Sequence, residues 1–309
     1  MKIFIELPTW LGDAIMASVA IGNILDKFPE SKVTIFGSFV ATEIYKGFPQ
    51  VEKVILNYSK EGNNRYISLY KIAKNAGVFD LAFSFRGSSF GTKYLLFLIK
   101  AKHKYQYRRT KIADIHQVKR YNDFVNKSLG KDLPLGDLRL PYIPKKCDKP
   151  LLGLNPGATY GNAKRWYPSE FAKVAIALAD KYDIVIFGSP VETEIADDIK
   201  TMLKQNGVTN FTNLAGKTCI KELCETIGSL SLFVTNDSGP LHIAAAYKIP
   251  TIAIFGPTIP AETNGWNNPN EIDVMKTLNC QPCMKRICPL EHHECMKLIT
   301  ADDVLSQIK

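Results

Sequence analysis

The sequence predicts an α/β protein made of two doubly wound, parallel-sheet domains, and three observations lead there. Short β-rich runs alternate with longer amphipathic ones, and the strand runs are too apolar to leave one face wet. That order is expected where helices cover both faces of a parallel sheet. The alternation breaks once, over residues 131–150, where Pro134, Pro141, Pro144 and Pro150 stand among charges and a helix cannot continue. A second series of similar size follows, and 309 residues at roughly 100–200 per domain suit two cores. The domains are therefore set at 1–145 and 146–309, with the last helix able to pack back on the first domain.

In chain order, the first half reads as strand 2–7, helix 14–28, strand 32–36, helix 39–45, strand 51–56, helix 66–76, strand 81–85, and helices 89–100 and 116–129. The second half reads as strand 151–155, helix 168–181, strand 183–187, helix 190–205, strand 210–214, helix 220–230, strand 232–236, helix 239–247 and strand 250–255. Thr300 looks like an N-cap with Asp302 and Asp303 in the first turn, so a final helix is expected from about 301.

Composition excludes some classes. With 46% hydrophobic and 22% charged residues, neither a disordered nor a fibrous chain is expected. Lys+Arg of 39 against Asp+Glu of 30 gives +9, which favours an anionic partner: nucleotide phosphates, nucleic acid or an acidic membrane surface. No run approaches the roughly 18 apolar residues of a membrane-spanning helix. Residues 1–6 turn acidic at Glu6 and then meet Pro8, unlike a secretory signal, so a cytoplasmic protein is expected.

Chemistry is expected in the loops that follow the strands, where helix N-termini present free N–H groups. Pro8-Thr9-Trp10-Leu11-Gly12-Asp13 lacks the glycine pattern of a dinucleotide fingerprint. Asp13 is a helix cap or first-turn acid on the ordinary account, and a general base on the sharper one. The stretch from Asn155 to Pro168 holds Gly157, Thr159, Gly161, Lys164 and Arg165, a composition that suits phosphate. Glu192, early in a helix after Phe187-Gly188-Ser189, is structural or a ribose acceptor. Asn236-Asp237-Ser238-Gly239 precedes a helix carrying His242 in its first turn, which makes an anion site. No Gly-x-Ser-x-Gly elbow supports a hydrolase.

Taken together, these loops closely resemble glycosyltransferase family 9, the ADP-heptose:lipopolysaccharide heptosyltransferases, over nearly the whole chain. The marks are Trp10-Leu11-Gly12-Asp13, Pro156-Gly157-Ala158 with Lys164-Arg165-Trp166, Phe187-Gly188-Ser189, Leu214-Ala215-Gly216, Thr235-Asn236-Asp237-Ser238-Gly239 and Phe255-Gly256-Pro257. The Trp-Leu-Gly-Asp and Lys-Arg-Trp forms are more similar to the heptosyltransferase II type than to type I. The resemblance implies a GT-B fold, two Rossmann-like doubly wound domains facing a central cleft, with an acceptor-binding N-terminal and a donor-binding C-terminal domain. It implies inverting transfer of heptose from ADP-L-glycero-D-manno-heptose to an inner-core heptose of lipopolysaccharide or lipooligosaccharide, with no catalytic metal or other cofactor. By position it makes Asp13 the general base and Lys164 the diphosphate cation. Asp237, Ser238 and Gly239 then hold donor phosphates and sugar, Thr159 and His242 fit the same site, and Glu192 lies near the ribose. Tyr160 departs from relatives that carry paired hydroxyl residues there. Arg86, in Arg86-Gly87-Ser88-Ser89, contacts the anionic acceptor or is solvated surface. The competing readings are transfer to Kdo, and another nucleotide-sugar enzyme of this fold such as an epimerase.

Two features stand apart. Cys280, Cys283, Cys288 and Cys295, with His292 and His293 between them, leave a structural zinc and free thiols equally open. The run from Lys93 to Arg120 holds Lys93, Lys100, Lys102, Lys104, Arg108, Arg109, Lys111, Lys119 and Arg120 among aromatics. A solvated helix face and loop would look the same, but a lipid-linked acceptor favours peripheral contact with an anionic inner membrane. A zinc-containing nucleic-acid-binding protein is the rival from another class, although no base-stacking or groove-reading motif is present.

Overall fold

The computed structural model describes residues 1–59, 61, 64–87, 89–109 and 114–308, so Ser88 and Lys111 lie outside the described residues. The chain divides into Met1–Pro141 and Tyr142–Lys309. The division falls inside the proline-rich segment: Arg139 pairs with Asp26 at 2.7 Å, whereas the Tyr142 carbonyl accepts from the Tyr247 hydroxyl.

The first unit runs β1 (Lys2–Glu6), α1 (Leu11–Met16), α2 (Ser18–Lys27), β2 (Lys32–Gly37), α3 (Phe39–Glu43), β3 (Val51–Leu56), α4 (Arg65–Ala76), β4 (Val78–Ser84), α5 (Phe90–Leu98), β5 (Lys100–Gln106) and α6 (Gln117–Leu129). Its sheet has the order β3-β2-β1-β4-β5, with every pairing parallel. Apolar side chains fill both faces, since Ile3, Phe4 and Ile5 of β1 are all buried, and on one face Phe4 stacks on Phe36 at 6.2 Å and meets Phe79 at 5.4 Å. The chain winds outward from β1 to β3 and then returns to the other side with β4. The switch point, where ligands bind in such sheets, therefore lies between β1 and β4.

Two expectations fail here. The single helix over 14–28 is two, meeting at Ala17, whose ψ of −12° opens the turn. The basic run is not a helix face continuing into a loop, because α5 ends at Leu98 and Lys100–Gln106 forms an edge strand. Lysines on an edge discourage pairing with another chain. Lys102 pairs with Asp80 at 2.7 Å and Lys104 donates to the Phe97 carbonyl at 2.7 Å. Arg120 is buried, its Nε donating to the Ile115 carbonyl. Part of the positive charge thus serves the fold.

The second unit runs β6 (Leu151–Asn155), α7 (Pro168–Leu178), β7 (Asp183–Ile186), α8 (Thr193–Gln205), β8 (Phe211–Asn213), α9 (Ile220–Ile227), β9 (Leu232–Asn236), α10 (Gly239–Ala246), β10 (Thr251–Ile254), α11 (Pro260–Thr263), β11 (Glu271–Val274), α12 (Glu294–Lys297) and α13 (Ala301–Leu305). Short 3-10 turns at Asn162–Lys164 and Pro190–Glu192 precede α7 and α8. The sheet order is β11-β10-β9-β6-β7-β8, again parallel throughout. Its switch point lies between β6 and β9. Trp166 anchors the loop after β6: it is buried, meets Phe171 edge-on at 4.9 Å, and donates Nε1–H to the Ile299 carbonyl at 2.8 Å. Strand β11 and helices α11 and α12 are additions to the expected pattern.

Candidate active site

At the second switch point two strands end on asparagines, and these fix the loops that follow. Asn155 Nδ2 donates to Thr235 Oγ1 at 3.0 Å and to Ser238 Oγ at 2.8 Å. Asn236 Nδ2 donates to the Pro156 carbonyl at 2.7 Å, and its Oδ1 accepts from the Trp166 N–H at 3.0 Å. Each strand end thereby holds the loop of its neighbour.

The same loops bring Lys164 to Asp237, with Nζ 2.5 Å from Oδ2 and side chains 11% and 4% exposed. Thr258, after Phe255-Gly256-Pro257, donates to the same carboxylate oxygen at 2.6 Å. A buried pair is tolerated when further hydrogen bonds complete it, as here. Ser238 caps α10 without a side-chain bond to the helix, its oxygen accepting from Asn155 instead. Gly239 opens that helix, and His242 is buried in its first turn. A cation beside a helix start suits an anionic ligand.

Glu192 is buried, and its Oε2 accepts from the Ser189 N–H at 2.9 Å and the Ser189 hydroxyl at 2.7 Å. Its Oε1 lies 3.8 Å from Arg165 and takes no hydrogen bond among the described residues. Gly157 is demanded by this carboxylate, since any Cβ there would overlap it. Structural capping and a remaining acceptor oxygen thus coexist in one residue. Thr159 is exposed on the loop. Tyr160 turns its hydroxyl to the Met284 carbonyl at 2.9 Å, and Lys164 Nζ lies 4.9 Å from its ring centre.

In the first unit, Asp13 sits in the first turn of α1, while Trp10 occupies the N-cap and its side chain does not cap the helix. Asp13 is therefore not the cap. Burial first, and then the charge of Asp13, hold the Tyr121 phenol well above its ordinary range. Burial and, more weakly, Asp13 also raise Tyr107. Arg86 follows β4 and is no freely solvated side chain: its guanidinium lies 3.6 Å from Glu6 Oε1. Glu6, the last residue of β1, is buried and accepts from Ser84 Oγ at 2.6 Å. Burial pushes its carboxyl up to about 7, against the pull of Ser84, Arg86 and Arg65.

Asn155, Asn236, Thr258 and Glu6 were not singled out by sequence reasoning. For Glu6, Asn155 and Asn236 the available signal was a polar or acidic residue ending an otherwise apolar strand, which is where a doubly wound sheet meets its ligand; Thr258, in the loop after β10, carried no such signal.

The structure brings the clustered cysteines together. Cys280, Cys283, Cys288 and Cys295 line one cavity of about 20 Å³ with His292 and His293. Among the described residues, no three His, Cys, Asp or Glu side chains are arranged to hold an ion. His293 uses both ring nitrogens elsewhere, toward Tyr167 Oη at 3.3 Å and the Ala163 carbonyl at 3.0 Å. None of the seven cysteines is in a disulfide, and a structural zinc is not shown. Among the described residues, no helix is long and apolar enough to cross a membrane.

Residues 84–294 match the family model described as glycosyltransferase family 9 (heptosyltransferase). The chain is 43% identical to lipooligosaccharide heptosyltransferase 2 of Campylobacter jejuni serotype O:2, over 100% of this chain and 98% of the relative. It is 29% identical to lipooligosaccharide heptosyltransferase 2 of Haemophilus ducreyi, over 85% of each. The structure of ADP-heptose lipopolysaccharide heptosyltransferase II of Escherichia coli superposes with a TM-score of 0.79 at 23% identity, covering 100% of this chain and 97% of that one, and so shares its fold.

Proposed function

The chain belongs to glycosyltransferase family 9, and from that premise we propose that it transfers heptose from ADP-L-glycero-D-manno-heptose to an inner-core heptose of lipopolysaccharide or lipooligosaccharide. The observation that carries the donor side is the Lys164–Asp237 pair at the switch point between β6 and β9. The second unit binds the nucleotide sugar. The donor diphosphate takes Lys164 as its counter-ion and lies at the start of α10, with Ser238, Gly239, Thr159 and His242 around phosphates and sugar. Asp237 is the positioning partner of Lys164, and Glu192 Oε1 accepts from a ribose hydroxyl.

The first unit binds the acceptor. Asp13 takes the proton of the acceptor hydroxyl as its oxygen attacks the anomeric carbon from the face opposite ADP. The bond from that carbon to the β-phosphate oxygen breaks, and its electron pair leaves on ADP. Lys164 stabilises the charge that develops there, and attack from the opposite face gives a product of inverted configuration. Arg86, held by Glu6, faces anionic groups of the inner core.

A lipid-linked acceptor places the enzyme in the cytoplasm, peripheral to the inner membrane, with exposed lysines toward anionic headgroups. Nucleic acid is disfavoured as the partner because the sequence carries no base-stacking or groove-reading motif. The test is ADP release with ADP-heptose and defined truncated core acceptors. An acceptor ending in heptose should support turnover; turnover only on a Kdo-terminated acceptor would shift the reading to a type I enzyme.

A further inference from the structure

The loop that carries the cysteine cluster is fastened to the phosphate loop at several points. Between Cys283 and Cys288 it places Arg286, whose carbonyl accepts from the Ala163 N–H at 3.0 Å. Gly161 lies against the Arg286 backbone so closely that any side chain there would overlap the carbonyl. Tyr160 reaches the same loop through its hydrogen bond to Met284, and Met284 donates its N–H to the Pro257 carbonyl at 2.9 Å. The Arg286 guanidinium stands 5.2 Å from the centre of the Tyr160 ring, against which Lys164 also lies at 4.9 Å. One aromatic ring therefore gathers two cations from two separate loops.

The charge balance explains what the second cation is for. Lys164 shares its charge with Asp237 and Arg165 lies 3.8 Å from Glu192, so the inner cations have only part of their charge left for a ligand. A sugar diphosphate brings a negative charge on each phosphate, which this inner set cannot neutralise. We propose that Arg286 is a further donor-binding residue, a diphosphate-facing guanidinium that the cysteine loop presents across Tyr160. This rests on the donor-site reading above and deepens it. Arginine suits the task because its planar fork can grip two phosphate oxygens at once. The Tyr160 ring draws both cations to one place by cation–π attraction. The departure of Tyr160 from a paired hydroxyl thereby gains a role: it exchanges one hydrogen bond to phosphate for the placement of a cation.

The experiment is calorimetric titration of the full chain with ADP and, separately, with adenosine, for wild type, Arg286→Ala, Arg286→Lys and Tyr160→Leu. Arg286→Ala should weaken ADP by about tenfold, on the order of one charge-assisted contact, and leave adenosine unchanged. Arg286→Lys should recover part of the loss, and Tyr160→Leu should weaken ADP without affecting adenosine. ADP affinity equal to wild type in Arg286→Ala would overturn the proposal. So would equal loss of ADP and adenosine, which would mark Arg286 as merely structural. Failure of wild-type protein to bind ADP at all would overturn the donor-site reading and this proposal with it.

Discussion

Lys164 Nζ lies 2.5 Å from Asp237 Oδ2, joining residues 73 apart in the chain across the switch point of the second sheet. Removing one partner strands the other charge in a buried site. Asp237→Ala should therefore lower stability by about 3–5 kcal/mol, the range for breaking a buried pair. The double variant Lys164→Met, Asp237→Leu should regain most of that stability and still release no ADP from ADP-heptose. Urea unfolding and an ADP-release assay on the three proteins check this. A stable double variant with wild-type turnover would show that the pair serves the fold alone.

Glu6 makes stability depend on pH in a stated direction. Its folded-state value of about 7 lies above the ordinary 4.5. The carboxyl therefore contributes stability that is full below the ordinary value and is lost as pH rises through about 7, when the buried group ionises. Glu6→Gln should match wild type at acidic pH and be more stable above pH ~8, on the order of 3 kcal/mol. Thermal unfolding at both values measures it, and a difference independent of pH would contradict the cause given.

The cysteines should separate by reactivity, because the thiolate is the attacking form. Burial pushes Cys224 up to about 12 and, with the neighbouring thiols, Cys295 up to about 11. Cys147 and Cys219 are exposed. Timed alkylation of native protein with peptide mapping should label Cys147 and Cys219 first, and Cys224 and Cys295 last. Joint protection of Cys280, Cys283, Cys288 and Cys295 together with a stoichiometric retained metal would restore the zinc reading.

The parallel sheets were legible because β1, β6 and β9 are short apolar runs that only a buried strand explains. Strand β5 was not, because Lys-Ala-Lys-His-Lys-Tyr-Gln carries the charge of an edge and reads as solvated surface. Strand β11, only four residues with two acids, fails for the same reason. Lys164 and Asp237 were each visible as loop residues with plausible roles. Their pairing was not, since it depends on β6 and β9 lying side by side, and sequence order alone does not place them so. Glu6 was hidden because an acid closing an apolar strand looks like the strand's end rather than a buried partner for Arg86.

The central claim, that Asp13 is the base of a heptosyl transfer, is tested most directly by comparing wild type with Asp13→Ala for ADP release from ADP-heptose on a heptose-terminated core acceptor, alongside ADP affinity. Wild type should release ADP only when that acceptor is present, and Asp13→Ala should bind ADP as wild type does while releasing none. Transfer by Asp13→Ala at near the wild-type rate would contradict the account.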